Sequence, residues 1–428
     1  TADNGAIASW GKFGVKADGF LALKYWIDRR FMAKYQQLTM PTTPAPRPFA
    51  GLDAWCAPRS DGNSSQRQPD PVFATMRCLG CAAKASHTVL ANALEDAVGL
   101  AVSNGANPDL MPEVGIETDA AIMESPPAGH QLVQSVDVLS EIVSDPFMLG
   151  RIAAVHALSD LFAVLATPTS ALAIVNLPEA NLSIQTNQLM QMLAGGLIAL
   201  SEAGVKLTGG HTSEGGALSV GFSVTGHTNQ RLPVVPVNAA SGNDLVLVLT
   251  KPLGTGVIMA GHMQLLAKAQ WVDDAIRQMA VSNQQAAKHF LKNGVLGATD
   301  ITGFGLARHA QNLSLRLGAR GCRLDLLSLP LLDGASTLLS SGIRSSLHEQ
   351  NRAAVQIDAS YLEDVGGTQF DAHIEMLFDP QTSGGSLGVF PRDNANRLVA
   401  TLYKDGQTAA IIGRLDFTTV GVHLTGNM

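Results

Sequence analysis

The sequence predicts an α/β protein built from two packed domains. Its 428 residues are enough for two or more domains with sizeable cores, and the balance of 46% apolar to 15% charged residues is typical of a globular chain. After Phe73, strand-like runs alternate with long segments rich in Ala and Leu. Alternation of this kind is typical of helices packed on sheets, so two α/β domains are the simplest interpretation.

Charge and cysteine content narrow the class of function. The net charge of -7 offers no basic surface for nucleic acid, and no apolar run reaches the roughly 20 residues of a membrane helix. Of the 4 cysteines only Cys78 and Cys81 are close in sequence. This spacing does not indicate a set of disulfide bonds, so we expect the protein in a reducing cytoplasm. The opening stretch lacks the pattern of a signal peptide, and a chain that begins at Thr1 suggests a fragment of a longer protein. Small-molecule chemistry is therefore expected.

The first 76 residues differ in composition from the rest. Within residues 1–40, the segment Phe20 to Tyr35 places apolar residues on one helical face and basic residues elsewhere, which predicts an amphipathic helix. Residues 41–76 are rich in Pro, Ser and Gly without periodicity and are predicted to be a linker.

The remaining chain divides into two groups of predicted elements, separated by a turn-rich stretch between Gly226 and Asp244. The first group has a strand at Gln131 to Leu139, a helix from Gly150, a helix from Asn181 that ends near Gly204, and strands at VKLTGG and ALSVGFSVTG. The second has a buried strand in LVLVLTKPLGTG, helices around 275–291 and 306–317, and strands at 385–390 and TAAIIG.

Four aspartates lie inside or beside apolar elements, where an unpaired carboxylate is costly. They are Asp119, Asp137, Asp160 and Asp300. Magnesium prefers hard oxygen ligands and commonly bridges one or two carboxylates to phosphates, so these residues indicate a metal-nucleotide site. A helix cap or an arginine partner for each aspartate is the alternative.

Glycine clusters are the second indication of a phosphate site. TGGHTSEGG, from Thr208, follows a predicted strand, and adjacent glycines let backbone amides approach an anion. KPLGTG from Lys251 and DITGFG from Asp300 are similar, although tight turns explain such clusters equally well. None fits a P-loop or a dinucleotide-binding GxGxxG.

The segment MRCLGCAAKAS holds Cys78, Cys81 and Lys84 directly before a predicted helix. The N-terminus of a helix and a nearby lysine both stabilise the thiolate form of a cysteine. Such a thiolate can serve as a nucleophile or carry sulfur or selenium. A redox pair of the two cysteines is an alternative that stays open. Half of a zinc site is disfavoured, because no second CxxC supplies the other ligands.

From Arg77 to the C-terminus the chain resembles selenophosphate synthetase (selenide, water dikinase), within the aminoimidazole ribonucleotide synthetase superfamily. The motifs that carry the resemblance occur in the family's order, and they are TDAAI, SVDVLSEIVSDP, GRIAAVHALSD, LTGGHT, LTKPLGTG, TDITGFG and DPQTSGG. The resemblance implies a two-domain aminoimidazole ribonucleotide synthetase-like fold, with an ATP-binding domain at 77–235 that dimerises and an α/β domain at 236–428. It also implies that the dimer places ATP in a long cleft.

The resemblance assigns roles by motif. It implies catalytic roles for Cys81 and Lys84 and magnesium ligation by Asp119, Asp160 and Asp300. The ATP-binding positions that it implies are Lys84, Thr118, Asp137, Asp160, Gly209, Gly210 and His211. The sequence departs from the common pattern at Cys78, which is additional, at Ala82, Ala83 and Thr118, and at His156, where asparagine is usual.

The implied reaction converts ATP, selenide and water into selenophosphate, AMP and phosphate, with Mg²⁺ as cofactor, a homodimer as the assembly and no nucleic-acid or membrane partner. Two other functions stay open: a related ATP-dependent enzyme with another acceptor, and a non-catalytic ATP-binding or redox module. The segment from Trp10 to Met40 resembles the tail of a flavin-dependent NADH dehydrogenase-like oxidoreductase, which implies a fused domain upstream of Thr1. A basic amphipathic helix packed on the body is the alternative.

Overall fold

The structure is a computed structural model, and it describes residues 6–10, 13–17, 83–115, 120–230, 244–358 and 370–426. The chain divides into two compact units, Thr1–Leu79 and Gly80–Met428. The helix predicted at Phe20 to Tyr35, the predicted linker at 41–76 and the predicted domain boundary at 235/236 lie outside the described residues.

The first unit contains a β-hairpin that the sequence analysis did not predict. Strand β1 (Ala6–Trp10) pairs antiparallel with β2 (Phe13–Ala17), in a register that runs from Ala6 opposite Ala17 to Trp10 opposite Phe13. Each strand is five residues long, too short for alternation to stand out from the surrounding sequence.

Within the described residues 83–115 and 120–230, the N-terminal half of the second unit is a four-stranded sheet with three long helices. Its elements are α1 (His87–Ser103), β3 (Gln131–Ser140), α2 (Pro146–Ala163), β4 (Thr167–Pro178), α3 (Leu182–Glu202), β5 (Lys206–Gly215) and β6 (Ser219–Thr228). The strand order is β3-β6-β4-β5, with β4 and β5 parallel and the other pairs antiparallel.

Helix α2 lies at the centre of this half and is buried along nearly its whole length. It begins at Pro146 rather than at the predicted Gly150, because the Asp145 side chain caps it by accepting hydrogen bonds from the backbone N–H of Phe147 (2.9 Å) and Met148 (3.3 Å). Gly150 lets α2 pack closely on α3, since a Cβ there would stand 1.9 Å from the carbonyl oxygen of Met192.

The strand predicted at VKLTGG is confirmed, but it is longer than predicted and includes the whole glycine segment from Thr208. Strand β5 continues through it to Gly215 and pairs with β4, placing Gly210 opposite Ala173. The two backbones approach closely here, because a Cβ on Gly210 would stand 2.2 Å from the carbonyl oxygen of Ala173. The glycines therefore serve a strand pairing that local sequence does not reveal.

Within the described residues 244–358 and 370–426, the C-terminal half of the second unit surrounds a seven-stranded mixed sheet of order β10-β13-β9-β12-β7-β11-β8. Its strands are β7 (Leu245–Leu249), β8 (Gly297–Asp300), β9 (Gly321–Asp325), β10 (Ile357–Asp358), β11 (Ser386–Pro391), β12 (Ala410–Asp416) and β13 (Gly421–Thr425). Its helices are α4 (Thr255–Met263), α5 (Ala269–Met279), α6 (Gln284–Lys292), α7 (Gly305–Arg316), α8 (Ala335–Ser340), α9 (His348–Ala353), α10 (Asp371–Met376) and α11 (Arg392–Lys404). Across the described parts of the chain, no helix combines the length and apolar character needed to cross a membrane.

One face of the N-terminal sheet carries apolar side chains that the described residues leave uncovered. Leu132, Val136 and Val138 on β3 and Leu172 on β4 are between 37% and 62% exposed. The opposite face packs on the helices through buried residues such as Phe222. The sheet therefore carries one buried face and one exposed apolar face.

Candidate active site

Strand β3 and helix α2 bring two of the predicted aspartates together. Asp137 and Ser135 are two residues apart on β3, so both face α2, and the Ser135 hydroxyl donates a short hydrogen bond to Asp160 Oδ2. Burial raises the pKa of Asp137 to about 7, with further contributions from the charge of Asp160 and a hydrogen bond to it. A negative charge on Asp137 is therefore disfavoured beside that of Asp160.

Asp300 reaches the same pair from the C-terminal half of the unit. It is the last residue of β8, it is 5% exposed, and its Oδ2 atom is buried without a hydrogen-bond partner. Burial raises its pKa to about 6, and the charge of Asp160 adds to the effect. Three carboxyl groups from two halves of the unit thus interact, and a cation would relieve their mutual repulsion.

The chemistry of this carboxylate cluster (Asp137, Asp160 and Asp300) suits a hard cation. Its donors are carboxylate oxygens, and one of them, on Asp300, lacks any partner. Within the residues that the structure describes, no set of three or more His, Cys, Asp or Glu side chains has the arrangement of a complete metal site. A magnesium ion usually takes only one or two carboxylates and completes its shell with water and phosphate, so the cluster fits a metal-nucleotide complex.

Two neutral histidines flank the cluster. Burial lowers the pKa of His156, whose Nδ1 accepts a 3.1 Å hydrogen bond from the Ser383 backbone N–H. Burial also lowers the pKa of His309 to about 4, and its Nε2 accepts a 3.3 Å hydrogen bond from the Thr302 backbone N–H. The charge of Asp160 opposes both shifts without cancelling them, so neither imidazole balances the carboxylates at neutral pH.

Lys251, from the glycine cluster KPLGTG, is a buried residue rather than an exposed phosphate ligand. It is 3% exposed, and its Nζ donates hydrogen bonds to the carbonyl oxygens of Val281 (2.5 Å) and Ser383 (2.9 Å). Burial lowers its pKa to about 7, against the opposing charge of Asp300. Lys251 therefore holds the backbone of the surrounding loops in place through these two hydrogen bonds.

The motif DPQTSGG caps helix α4. Gln381 Oε1 accepts hydrogen bonds from the backbone N–H of Gly254 (2.9 Å) and Thr255 (3.2 Å), where α4 begins. Asp379 is fully buried; its Oδ2 accepts a 2.9 Å bond from Gln381 Nε2, whereas its Oδ1 lies beside Gly256 in the first turn of α4 without a hydrogen-bond partner. Burial nevertheless raises the pKa of Asp379 to about 7. DPQTSGG is thus hydrogen-bonded to the KPLGTG segment, a role that its sequence does not indicate.

Lys84 lies beside the glycine-rich strand. It forms an isolated antiparallel bridge with Ser213 of β5, and the backbone N–H of Ala85 donates a 3.1 Å hydrogen bond to the Thr212 carbonyl oxygen. The side chain of Lys84 is exposed. Gly209, Gly210 and His211, the ATP-binding positions that the family resemblance implies, are exposed on the same strand.

Within one chain the two groups of predicted residues lie at opposite edges of the sheet. Asp137 on β3 pairs with Phe222, which pairs with Ala173, which pairs with Gly210 on β5. Three strand spacings of about 4.8 Å separate the two ends of this row by roughly 14 Å. The carboxylate cluster and the Lys84–β5 region are therefore distinct parts of the surface of one chain.

The structure leaves part of the predicted site untested. Cys78, Cys81, Thr118 and Asp119 lie outside the described residues, so their assigned roles stay predictions. Sequence analysis did not identify Ser135, His309 or Ser383, whose contacts with the site depend on segments far apart in the chain. Ser135 and Ser383 lie inside the motifs SVDVLSEIVSDP and DPQTSGG, which were the available signal, whereas His309 lies in no motif.

The fold and the site define a two-domain protein related to AIR synthase. The family model for the AIR synthase related protein N-terminal domain matches residues 117–228, and the model for its C-terminal domain matches residues 242–421. Solved structures share the fold: thiamine-monophosphate kinase from Stenotrophomonas maltophilia has a TM-score of 0.57 at 19% identity, covering 78% of this chain and 96% of that one. The hydrogenase maturation protein HypE in complex with ATP has a TM-score of 0.52 at 18% identity, covering 72% and 82%.

Curated relatives identify the particular family. Selenide, water dikinase of Citrifermentans bemidjiense is 34% identical over 346 residues, which are 80% of this chain and 94% of the relative. The enzyme of the same name from Geobacter metallireducens is 36% identical over 321 residues, covering 75% and 90%. The chain belongs to the selenide, water dikinase family and is an enzyme.

Proposed function

We propose that this enzyme converts ATP, selenide and water into selenophosphate, AMP and phosphate. The observation that carries the proposal is the carboxylate cluster, in which Asp137 and Asp160 from one half of the unit meet Asp300 from the other. Phosphoryl transfer needs little covalent chemistry from the protein, so positioning and charge neutralisation account for most of the catalysis. The selenophosphate product would supply activated selenium for selenocysteine and selenouridine.

Mg²⁺ is the proposed cofactor, held by Asp160, Asp300 and Asp119 against the phosphates of ATP. When bound, the ion would neutralise the phosphate oxygens on which charge develops. Asp137 serves as an ATP-contacting residue beside the pair. Burial raises the pKa of Asp137, so cation binding and protonation of this carboxyl compete.

Lys84 and Cys81 are the proposed catalytic residues on the other part of the site. The anchoring of residues 84 and 85 to β5 supports a position for Lys84 beside the transferring phosphoryl group, where its charge lowers the barrier. Cys81, three residues earlier, is assigned to hold or deliver selenide as a thiolate. Gly209, Gly210, His211 and Thr118 complete the proposed ATP contacts.

We further propose that the enzyme is a homodimer formed through the exposed apolar face of the N-terminal sheet. Leu132, Val136, Val138 and Leu172 on this face are the kind of surface that a partner covers. The roughly 14 Å between the two edges of the sheet within one chain also fits a long ATP cleft that two copies complete. Replacing Val136, which is 55% exposed, by Asp should shift the mass measured by light scattering to that of a monomer, whereas Val420→Asp, at 66% exposed in the other half, should not.

Residues 1–40 are proposed to lie outside the catalytic unit, as the end of an oxidoreductase domain. Deleting them should leave selenide-dependent AMP formation intact. A folded deletion variant without activity would assign the segment to the enzyme. A reducing cytoplasm suits both the substrate selenide and free thiols.

Phosphorus NMR of ATP, Mg²⁺ and selenide with the protein tests the proposed reaction. Selenophosphate and AMP should appear together and only when selenide is present. ADP as the final nucleotide product would indicate a related enzyme with another acceptor, and unchanged ATP would indicate a non-catalytic module.

A further inference from the structure

Asn283 lies at the junction between the two halves of the unit, next to the carboxylate cluster. It is 1% exposed and immediately precedes helix α6. Its Nδ2 donates one hydrogen bond to Ser159 Oγ (2.8 Å) and one to the Gly384 carbonyl oxygen (2.9 Å). Both amide hydrogens are therefore used, one toward each half of the unit.

Ser159 connects this amide to the cluster. It is 1% exposed and lies on α2 directly before Asp160. Because its oxygen accepts from Asn283, the hydroxyl hydrogen is left to donate elsewhere. The Ser159 side chain acts on the Asp300 carboxyl as a donor and lowers its pKa against the effect of burial. The other partner of Asn283 also lies against the Asp300 segment, because a Cβ on Gly384 would stand 2.2 Å from the carbonyl oxygen of Ile301.

We propose that Asn283 is a positioning residue that fixes the direction of the Ser159 hydroxyl and thereby presents the Asp300 carboxylate to the metal-nucleotide complex. The inference rests on the proposed role of Asp300 in holding the cation. Because the amide group of Asn283 donates to Ser159, the Ser159 oxygen acts as the acceptor in that bond. The hydroxyl hydrogen of Ser159 is then directed to Asp300 as a donor. Outer partners of this kind orient metal-ligating carboxylates, and their loss typically weakens metal affinity by about 10-fold to 100-fold.

The same residue also joins the DPQTSGG loop to α2. The backbone N–H of Ser383 donates a hydrogen bond to His156, and His156 lies on α2 one turn before Asp160. Asn283, Gly384 and Ser159 therefore fix the spacing between Asp160 in one half and Asp300 in the other. A cation shared by those two carboxylates depends on that spacing.

The test measures Mn²⁺ affinity by electron paramagnetic resonance, with a non-hydrolysable ATP analogue and the full chain. Ser159→Ala and Asn283→Leu should each weaken Mn²⁺ binding by about tenfold. If Asn283 acts through Ser159, Asn283→Leu should weaken binding less than about twofold further in a Ser159→Ala background. Equal effects of Asn283→Leu in both backgrounds would overturn the proposal and assign the residue a merely structural role.

Asn351 supplies a matched control. It is also buried, at 6% exposed, and its Nδ2 donates to two carbonyl oxygens, those of Gly303 (2.8 Å) and Phe378 (3.0 Å). Asn351→Leu should show the same effect on Mn²⁺ affinity with and without Ser159→Ala. Asn283→Ala, which leaves space for water, repeats the measurement so that it does not depend on the leucine variant folding.

Asp300→Asn separates failure of the inference from failure of the proposed function. Wild-type Mn²⁺ affinity in Asp300→Asn would refute the metal role itself. Loss of binding in Asp300→Asn, with unchanged binding in Ser159→Ala and Asn283→Leu, would refute only the role of Asn283.

Discussion

Replacing Asp300 by Asn should stabilise the metal-free protein and abolish its activity. The carboxyl group is 5% exposed, and its Oδ2 has no hydrogen-bond partner. Burial raises its pKa from 3.8 to about 6. Each tenfold change in proton affinity corresponds to about 1.4 kcal/mol, so ionising Asp300 in the folded protein costs on the order of 3 kcal/mol.

The sign of the pH dependence follows from this raised pKa. The stability that Asp300 contributes is complete below its ordinary pKa of 3.8, because both folded and unfolded forms are then protonated. This contribution to the free energy of unfolding decreases as pH rises from 3.8 to about 6, and it does not change further above that pH. The neutral amide of Asn has no such dependence. The stability advantage of Asp300→Asn over the wild type should therefore grow across this interval and then level off.

Chemical denaturation of both proteins in EDTA, at pH values from 4 to 8, measures this difference. Asp273→Asn, at an exposed position on α5, is the control and should not change with pH in this way. Asp300→Asn should also lose selenide-dependent ATP turnover by orders of magnitude, because the substitution removes a carboxylate that is proposed to hold Mg²⁺. An advantage that does not grow with pH would refute the assigned ionisation cost, and retained turnover would refute the metal role.

Three further predictions concern β5 and the segment that holds Cys78, Cys81 and Lys84. Gly210→Ala should lower the free energy of unfolding measured by chemical denaturation by about 1–3 kcal/mol, because its Cβ would stand 2.2 Å from a backbone oxygen. Gly216→Ala is the control and should leave that free energy unchanged, because a Cβ there would have no atom within 4 Å. Equal values for the two variants would contradict the close approach of β4 and β5. Cys81→Ser should lose selenide-dependent AMP release while Cys78→Ser keeps it, since a neutral hydroxyl cannot replace a thiolate; equal losses would instead favour a redox pair. Lys84→Ala should lower kcat with the fold intact by circular dichroism, and an unchanged kcat would remove the lysine from the phosphoryl-transfer step.

Much of the fold could be predicted because its elements carry their own periodicity. The uniform apolar run of β7 fits a strand with neighbours on both sides, and the structure places it between β11 and β12. Helix α3 begins after Asn181, whose side chain accepts a hydrogen bond from the Ile184 backbone N–H, as the cap residue predicts. Such features depend on residues within a few positions of one another, so local sequence contains them.

Local sequence was not sufficient where long-range pairing decides the structure. The glycines after Thr208 are typical of a turn, yet they continue β5 because β4 lies alongside. DPQTSGG is specific enough to indicate the family, but its function as a cap on α4 depends on Gln381 reaching Gly254 and Thr255. Neither contact can be inferred from the residues on either side of the motif.

The candidate site divides in the same way. Sequence alone identified Asp137, Asp160 and Asp300 as costly carboxylates within apolar segments, and hence as candidates for a shared cation. Only the tertiary structure brings Asp300 to Asp160, 140 positions earlier in the chain, and adds the Asn283–Ser159 contact behind them. The physical reason is that burial cost is a property of each residue and its local segment, whereas charge repulsion and hydrogen-bond direction exist only between groups that folding has placed in contact.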